Sequence, residues 1–202
     1  MIAVLALVVQ TWAAEPFFTA EAVADQPLHL RLDTAASWGI GGQMFLGAQV
    51  HLAGQVGVWN TGRGTGSFDF GLQANYGNEA TFLAPWIDRE TTTGATHRVQ
   101  LVATVGHTAH VGPQRRFSVG VQWFVGWNHW RSQYAVDLAE AGVQEKAVVQ
   151  RDLLTTGGQV TLGYRISRHV GVNLFMAAPL PTPSSYAVGL ASLGLGPTFY
   201  LK

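Results

Sequence analysis

Hydrophobic and polar residues alternate along most of the chain. In "SFDFGLQANY", Phe68, Phe70, Leu72, Ala74 and Tyr76 share one parity, and Asp69, Gly71, Gln73 and Asn75 share the other. A repeat of two is the period of a β-strand whose faces meet different surroundings. The same pattern sets Leu28, Leu30 and Leu32 against His29, Arg31 and Asp33. It sets Met44, Leu46, Ala48, Val50 and Leu52 against Gln43, Gly47, Gln49 and His51. Further along, Val99, Leu101, Ala103 and Val105 oppose Arg98, Gln100, Thr104 and Gly106. Phe117, Val119, Val121, Trp123, Val125 and Trp127 oppose Ser118, Gly120, Gln122, Phe124, Gly126 and Asn128. Val160, Leu162, Tyr164 and Ile166 oppose Gln159, Thr161, Gly163 and Arg165, and Val170, Val172, Leu174 and Met176 oppose Gly171 and Asn173. The last segment, Tyr186 to Lys202, changes parity near Ser192, which predicts a β-bulge.

The connections differ in length. Ala53–Gln55 and Ser167–His169 read as short turns, and His107–Arg115 as an intermediate one. Leu83–Thr96, Arg131–Gln150 and Pro179–Ser185 read as longer polar loops, holding Asp88, Arg89, Glu90, Glu140, Glu145 and Lys146; a short helical turn within Val136–Val149 would be interrupted at Gly142. Val56–Asn60 and Ser67–Asn78 are taken as one long strand bent at "TGRGTG", because that version keeps the long loops at one end. The total is then eight strands, with both termini at the short-turn end. The fold class is all-β: an antiparallel up-and-down barrel of eight strands.

Which parity faces inward depends on what each carries. The polar parity holds Gly, Ser, Thr, Gln and Asn, with Arg and Asp, and almost no Glu or Lys; the only lysines are Lys146 and Lys202. A water-exposed sheet face is normally sprinkled with both. The apolar parity carries no charge in these strands, as a lipid-facing wall requires, since a basic residue at the bilayer midplane costs about 2–4 kcal/mol. Trp38, Tyr76, Trp127, Trp130, Tyr164, Tyr186 and Tyr200 lie near strand ends, where interfacial aromatic girdles are built. The apolar parity is therefore read as the outside of a transmembrane barrel, with Phe68, Phe70, Phe117, Trp123, Trp127, Trp130, Tyr164 and Phe199 facing lipid or its interface. The polar parity then lines the interior: Arg31, Asp33, Asp69, Gln73, Arg98, Gln100, Gln122, Gln159 and Arg165, with Gln43 and Gln49 beside them and Phe124 as the misfit. Eight strands enclose a lumen just wide enough for side chains to fill. Buried charges must be paired there, with each other and with the glutamines. The reading is a polar plug; the alternatives are a narrow channel through the same barrel and a soluble barrel of lipocalin type binding an apolar ligand.

Composition narrows the picture further. The 202 residues suit one domain, charged residues are 12% and the net charge is zero, which argues against nucleic acid as a partner. There is no Cys, so disulfides, thiolate metal sites and cysteine nucleophiles are excluded. "MIAVLALVVQTWAAEPFF" has a short apolar run followed by small residues, the form of a secretory signal, though without the usual leading Lys or Arg. Residues 1–14 are read as that signal, 15–27 as a lead-in and 28–202 as the barrel. No apolar run reaches the roughly 20 residues of a membrane helix.

On the alternation, the loop asymmetry and the final strand "LGLGPTFYLK", the chain resembles the small outer-membrane β-barrels of Gram-negative bacteria, of the outer-membrane protein A and X type. The resemblance implies residence in the cell outer membrane, contact with its lipid, and insertion by the barrel-assembly machinery. That machinery recognises C-terminal strands ending on an aromatic residue; here Leu201 and Lys202 follow Tyr200. The family's adhesion and host-contact roles lie in extracellular loops, so a loop partner is expected without its identity being legible.

Candidate chemistry is sparse. Some barrels of this architecture modify lipid A with a lipid-facing Ser–His–acid set; His129, Ser132 and Asp137 or Glu140 lie near one another, but Ser132 falls in an expected loop. His107 and His110 are close in sequence at an expected turn, with no third metal ligand. "GRGTGS" lacks the lysine and helix of a phosphate loop. No catalytic residue, metal or cofactor is assigned, and the protein is read as a non-enzyme with a structural or surface-interaction role.

Overall fold

A computed structural model describes residues 23–38, 44–61, 64–79, 97–112, 114–138, 143–180 and 191–202. Eight strands run in order: β1 (Leu28–Trp38), β2 (Met44–Thr61), β3 (Gly64–Glu79), β4 (His97–Val111), β5 (Phe117–Leu138), β6 (Val143–Arg165), β7 (Val170–Pro179) and β8 (Ala191–Leu201). Each pairs antiparallel with its sequence neighbour, and β8 returns to β1, closing the barrel. Closure pairs every strand around the barrel, which an apolar sheet needs in order to avoid edge-to-edge association; the outer part of β5 and β6 runs on beyond their other neighbours.

The strand count agrees with the sequence pattern, but two boundaries do not. Ala53–Gln55 is the middle of β2, not a turn: Ala53 pairs with Gly71 and Gln55 with Asp69. The chain instead turns between Thr61 and Gly64, within the "TGRGTG" read as a bend. The two errors cancel in the total. Their cause is a β-bulge in β2, where the register with β3 shifts between Val56 and Trp59. Gly57 sits there at φ 61°, a left-handed conformation that side chains other than glycine enter at a cost. The extra residue moves the outward positions from even numbers (Leu52, Val56) to odd (Trp59), which in sequence looks like the end of a strand.

The bulge expected near Ser192 is absent from β8. Its pairing with β7 keeps one register from Val170↔Phe199 to Ala177↔Ser192. Any slip before Ala191 lies outside the described residues. The β1–β8 ladder skips Leu32 and Asp33, opposite Gly196 and Pro197, where proline has no N–H to donate.

β5 and β6 are the longest strands, at 22 and 23 residues. Arg131–Gln150, read as a loop with a helical turn, is a strand hairpin that continues the β5–β6 ladder to Leu138↔Val143. His107–Val111 likewise belongs to β4 rather than to a turn. The β2–β3, β4–β5 and β6–β7 connections, the start of β1 and the end of β8 fall at one end of the barrel, and the β1–β2, β3–β4, β5–β6 and β7–β8 connections at the other. Residues 1–22, including the expected signal segment, lie outside the described residues. Of the lead-in, Val23 and Gln26 are buried, Gln26 meets the His169 ring and Pro27 accepts a hydrogen bond from Gln55 N, which ties the entry to β1 onto the short-turn end.

Candidate functional site

The alternation of each strand separates two surfaces. Arg31, Asp33, Asp69, Gln73, Arg98, Gln100, Gln122, Gln159 and Arg165 are all buried inside the barrel. Gln49 is buried with them, whereas Gln43 lies outside the described residues.

These charges do not meet as direct ion pairs. Among the described residues the one pair within 4.0 Å is His129–Asp152, outside the barrel. Inside, neutral groups relay between the charges. Asp69 accepts from Ser67 Oγ at 3.2 Å, from Thr108 Oγ1 and from Gln122 Nε2 at 3.5 Å. Gln122 Oε1 accepts from Gln159 Nε2 at 3.4 Å, which also reaches Thr161 Oγ1 at 3.4 Å. Thr161 Oγ1 in turn accepts from Arg31 Nη1 at 2.7 Å. Arg31 Nη2 bonds His51 Nδ1, and because a guanidinium can only donate, that bond assigns the imidazole proton to Nε2. Nε2–H then donates to Thr104 Oγ1 at 2.9 Å. Asp33 accepts from Gln49 at 3.5 Å and from Asn173 Nδ2 at 3.0 Å. Asn173 also reaches Gly196 O and Thr198 Oγ1, stitching β7 to β8 beside the gap opposite Pro197. Arg165 lies 3.4 Å from the Tyr200 ring centroid, a cation–π contact at the short-turn end.

A second polar group lies towards the long-loop end. Arg98 Nε donates to Asn128 Oδ1 at 3.1 Å and Nη2 to Gln100 Oε1 at 2.9 Å, and Asn75 donates to the same Gln100 oxygen at 2.7 Å. Along β4 and β5 an apolar layer falls between the two groups: Val102, Phe124, Phe175 and Ala177, with Ala35 against them. Phe124 is thus no misfit but part of an apolar layer inside the barrel. Its ring occupies space beside Gly157, where an added Cβ would come within 2.6 Å of it. Among the described residues, three interior cavities are small, about 20, 30 and 10 Å³, room for one or a few waters.

His29, His51, Asn128 and Asn173, which the sequence already placed on the polar parity without naming them in the interior set, are buried in the lumen, as is His110. His110 was hidden by the turn assignment. His107 and His110 are three apart on β4, so His107 faces out and His110 in, and they cannot share a metal ion. Ser132 and Asp137 are positions of β5 rather than of a loop, their side chains lie outside the described residues, and so does Glu140.

The outer wall is apolar. Phe68, Phe70, Phe117, Trp123 and Trp127 are exposed on it, and Tyr164 and Phe199 are partly exposed, with Tyr164 packed on Phe117 at 4.9 Å. Trp130 is a correction: it is only 7% exposed and turned inward. β5 runs on past it to Leu138, so the alternation continues and places it on the same face as Phe124 and Asn128. On β5 the outward apolar run extends from Phe117 to Trp127, about 33 Å along the strand and roughly 25 Å of height once tilted. A polar collar tops it. Tyr76 Oη lies 2.9 Å from Asn78 Oδ1, and His97 Nδ1 lies 2.6 Å from the same oxygen. Trp127 Nε1 donates to Asp152 Oδ1 at 2.9 Å, and His129 Nδ1 stands 2.9 Å from it. The hydrogen bond with His129, and then that from Trp127, hold the Asp152 carboxyl below the usual carboxylate value.

No protein-family model matches the chain, and no curated protein matches it in sequence. In structure it is similar to Neisserial surface protein A, with a TM-score of 0.50 and 8% identity over 87% of this chain and 95% of that one. It is also similar to Ail, the attachment invasion locus protein of Yersinia pestis (TM-score 0.47, 8% identity, 85% and 95% covered). A third is the N-terminal β-barrel domain of Pseudomonas aeruginosa OprF (TM-score 0.43, 11% identity, 86% and 97% covered). Identities this low speak to fold alone. Eight antiparallel strands closed on themselves, polar within and apolar without, give this chain the fold of the small outer-membrane barrels.

Proposed function

We propose that the protein is an integral outer-membrane barrel with a closed lumen and a structural or surface-contact role. The observation that carries this reading is the outer wall: a continuous belt of exposed Leu, Val, Phe and Trp without a charged residue from Phe117 to Trp127 on β5 or from Phe68 to Tyr76 on β3. In water such a surface far exceeds the few hundred Å² of apolar patch that soluble monomers tolerate. In a bilayer it matches the hydrocarbon in height and chemistry. The inward set of Arg, Asp and Gln is the complement, since a soluble ligand-binding barrel would invert it.

The small interior cavities and the Phe124–Phe175 layer favour a plug over a channel. The surface-contact role is assigned to the β5–β6 hairpin, which carries about ten residues per strand beyond Trp127 and Asp152, above the belt. In this reading the chain contacts outer-membrane lipid and is inserted by the barrel-assembly machinery.

The test is fractionation of expressing cells followed by gel mobility with and without heating in detergent. Membrane recovery and a heat-dependent mobility shift are expected; recovery as a detergent-free soluble protein overturns the membrane assignment. Steady conductance of the purified barrel in planar bilayers would overturn the closed lumen.

A further inference from the structure

We propose that the long-loop half of the lumen holds one small monovalent anion, of the halide type, on the guanidinium of Arg98. The inference rests on the closed polar lumen and adds a ligand to it.

The buried charges divide unevenly along the barrel. On the short-turn side of the apolar layer, Arg31 and Arg165 are balanced by Asp33 and Asp69. Arg98 stands on the other side, four residues beyond Val102 on β4, and is the buried charge of that half among the described residues. No carboxylate among them lies within 4.0 Å of it. Its hydrogen bonds go to neutral amide oxygens, from Nε to Asn128 at 3.1 Å and from Nη2 to Gln100 at 2.9 Å, and Nη1 has no partner among the described residues. A guanidinium does not shed its proton, so the charge stays, and a buried charge is strongly unfavourable until a counter-charge reaches it. The register sets Arg98 opposite Trp130 and Trp130 opposite Arg151, so a second, exposed arginine shares its row and favours anions at this mouth.

Space and donors suit a single-atom anion. Cavities of about 20 and 10 Å³ both border Arg98, together with Gln49, Asn75 and Ser192. The larger has room for one water-sized particle, which admits a halide and rejects a phosphate or a carboxylate. Gln73 lines the smaller one, is 4% exposed, and its Oε1 has no partner among the described residues. Its amide, turned over, presents an N–H there. Ser37 and Ser192 border the larger cavity with their hydroxyls 2.8 Å apart; one proton lies between them and the other is available to an anion. Neither cavity is lined by a carboxylate, whereas Thr108 and Gln122 of the short-turn cavity both donate to Asp69.

The experiment is urea unfolding of the full chain folded in lipid vesicles, with chloride compared against a bulky sulfonate at equal ionic strength. Raising chloride to about 100 mM should lower the unfolding constant about tenfold, as a site half-filled near 10 mM would do. Arg98→Met, which keeps the length of the side chain without its charge, should abolish that effect, and Arg168→Met at the exposed β6–β7 turn should keep it. Crystals grown in bromide should show an anomalous peak within hydrogen-bonding reach of Arg98 Nη1. If Arg98→Met does not fold, the wild-type chloride effect and the bromide peak decide. Chloride and sulfonate acting alike, a chloride effect that survives Arg98→Met, or a bromide peak without chloride-dependent stability overturns the site. Glu79, two residues past the Gly77 that pairs with Arg98, is the rival counter-charge. A chloride effect seen only in Glu79→Gln would assign the charge to that carboxylate and overturns the site as well. Steady conductance in planar bilayers would remove the closed lumen itself, whereas a silent barrel indifferent to chloride removes this inference alone.

Discussion

Phe175 and Gly194 face each other across the β7–β8 ladder, and the Phe175 ring fills the space a Cβ at 194 would need. With Phe124, Val102 and Ala177 it forms the apolar layer of the lumen. A second neighbour, Thr34 O, stands 2.8 Å from that Cβ position, so the residue cannot escape toward β1. Gly194→Ala is expected to destabilise the barrel by about 1–3 kcal/mol through overpacking, read from urea unfolding in lipid vesicles. An unchanged midpoint would mean that the layer is looser than this packing implies.

The Gly57 bulge gives a second test. Gly57→Val forces a β-branched residue to φ 61° and is expected to cost on the order of 1–2 kcal/mol. Gly57→Asn, which enters the left-handed region more readily, should cost clearly less. Equal losses would show that sterics at the bulge, rather than backbone conformation, set the cost.

Charge placed on the outer wall should act by depth. Leu72, 69% exposed, pairs with Leu52 and Ala103 in mid-belt, whereas Ile166 lies at the short-turn end. Leu72→Arg is expected to cost about 2–4 kcal/mol in vesicles and Ile166→Arg about 0–1 kcal/mol. In a water-facing wall neither would be costly, so two neutral substitutions would count against lipid contact.

In the plugged reading proposed above, two barriers would close the lumen, the Arg98 group and the phenylalanine layer. Arg98→Ala leaves Asn128 and Gln100 without that donor and is expected to destabilise by about 1–3 kcal/mol. Planar bilayers should nevertheless stay silent, because Phe124 and Phe175 remain. Adding Phe124→Ala should produce measurable openings; openings from Arg98→Ala alone would make the guanidinium the only gate.

Acid should loosen the polar collar. The Asp152 carboxyl titrates below its unfolded value because the folded collar favours its charged form. Its contribution is therefore fully present above the unfolded carboxylate pKa, about 3.9, and is lost as pH falls through the lower folded value. The indole N–H resonance of Trp127, which donates to Asp152, should shift with a midpoint below about 3.9 and should not titrate in Asp152→Asn. A midpoint above that value would contradict the hydrogen-bonded carboxylate.

Most of the fold was legible because a two-sided sheet writes its two environments into alternate residues. Phe68 and Asp69 are neighbours in sequence, one exposed and the other buried, and "SFDFGLQANY" already separates them. The inward Arg, Asp and Gln set and, but for Trp130, the outward aromatic set follow from parity, whereas the strand number came out right through two boundary errors that cancel. Parity failed where something local interrupted it. The Gly57 bulge made one strand look like two, and the loop expected from Arg131 made Trp130 read as a strand-end interfacial residue although it stands on the inward parity.

What the sequence determined alone is which residues share a face, since side-chain direction alternates by covalent geometry. What only the tertiary structure decided is which of those residues meet. Arg31 finds Thr161 across 130 positions, and Asp33 finds Asn173 across 140, because closing β8 onto β1 brings both ends of the chain around one lumen. The physical reason is range: alternation is set by each residue's own backbone, whereas partner choice depends on a register fixed only when all eight strands have paired.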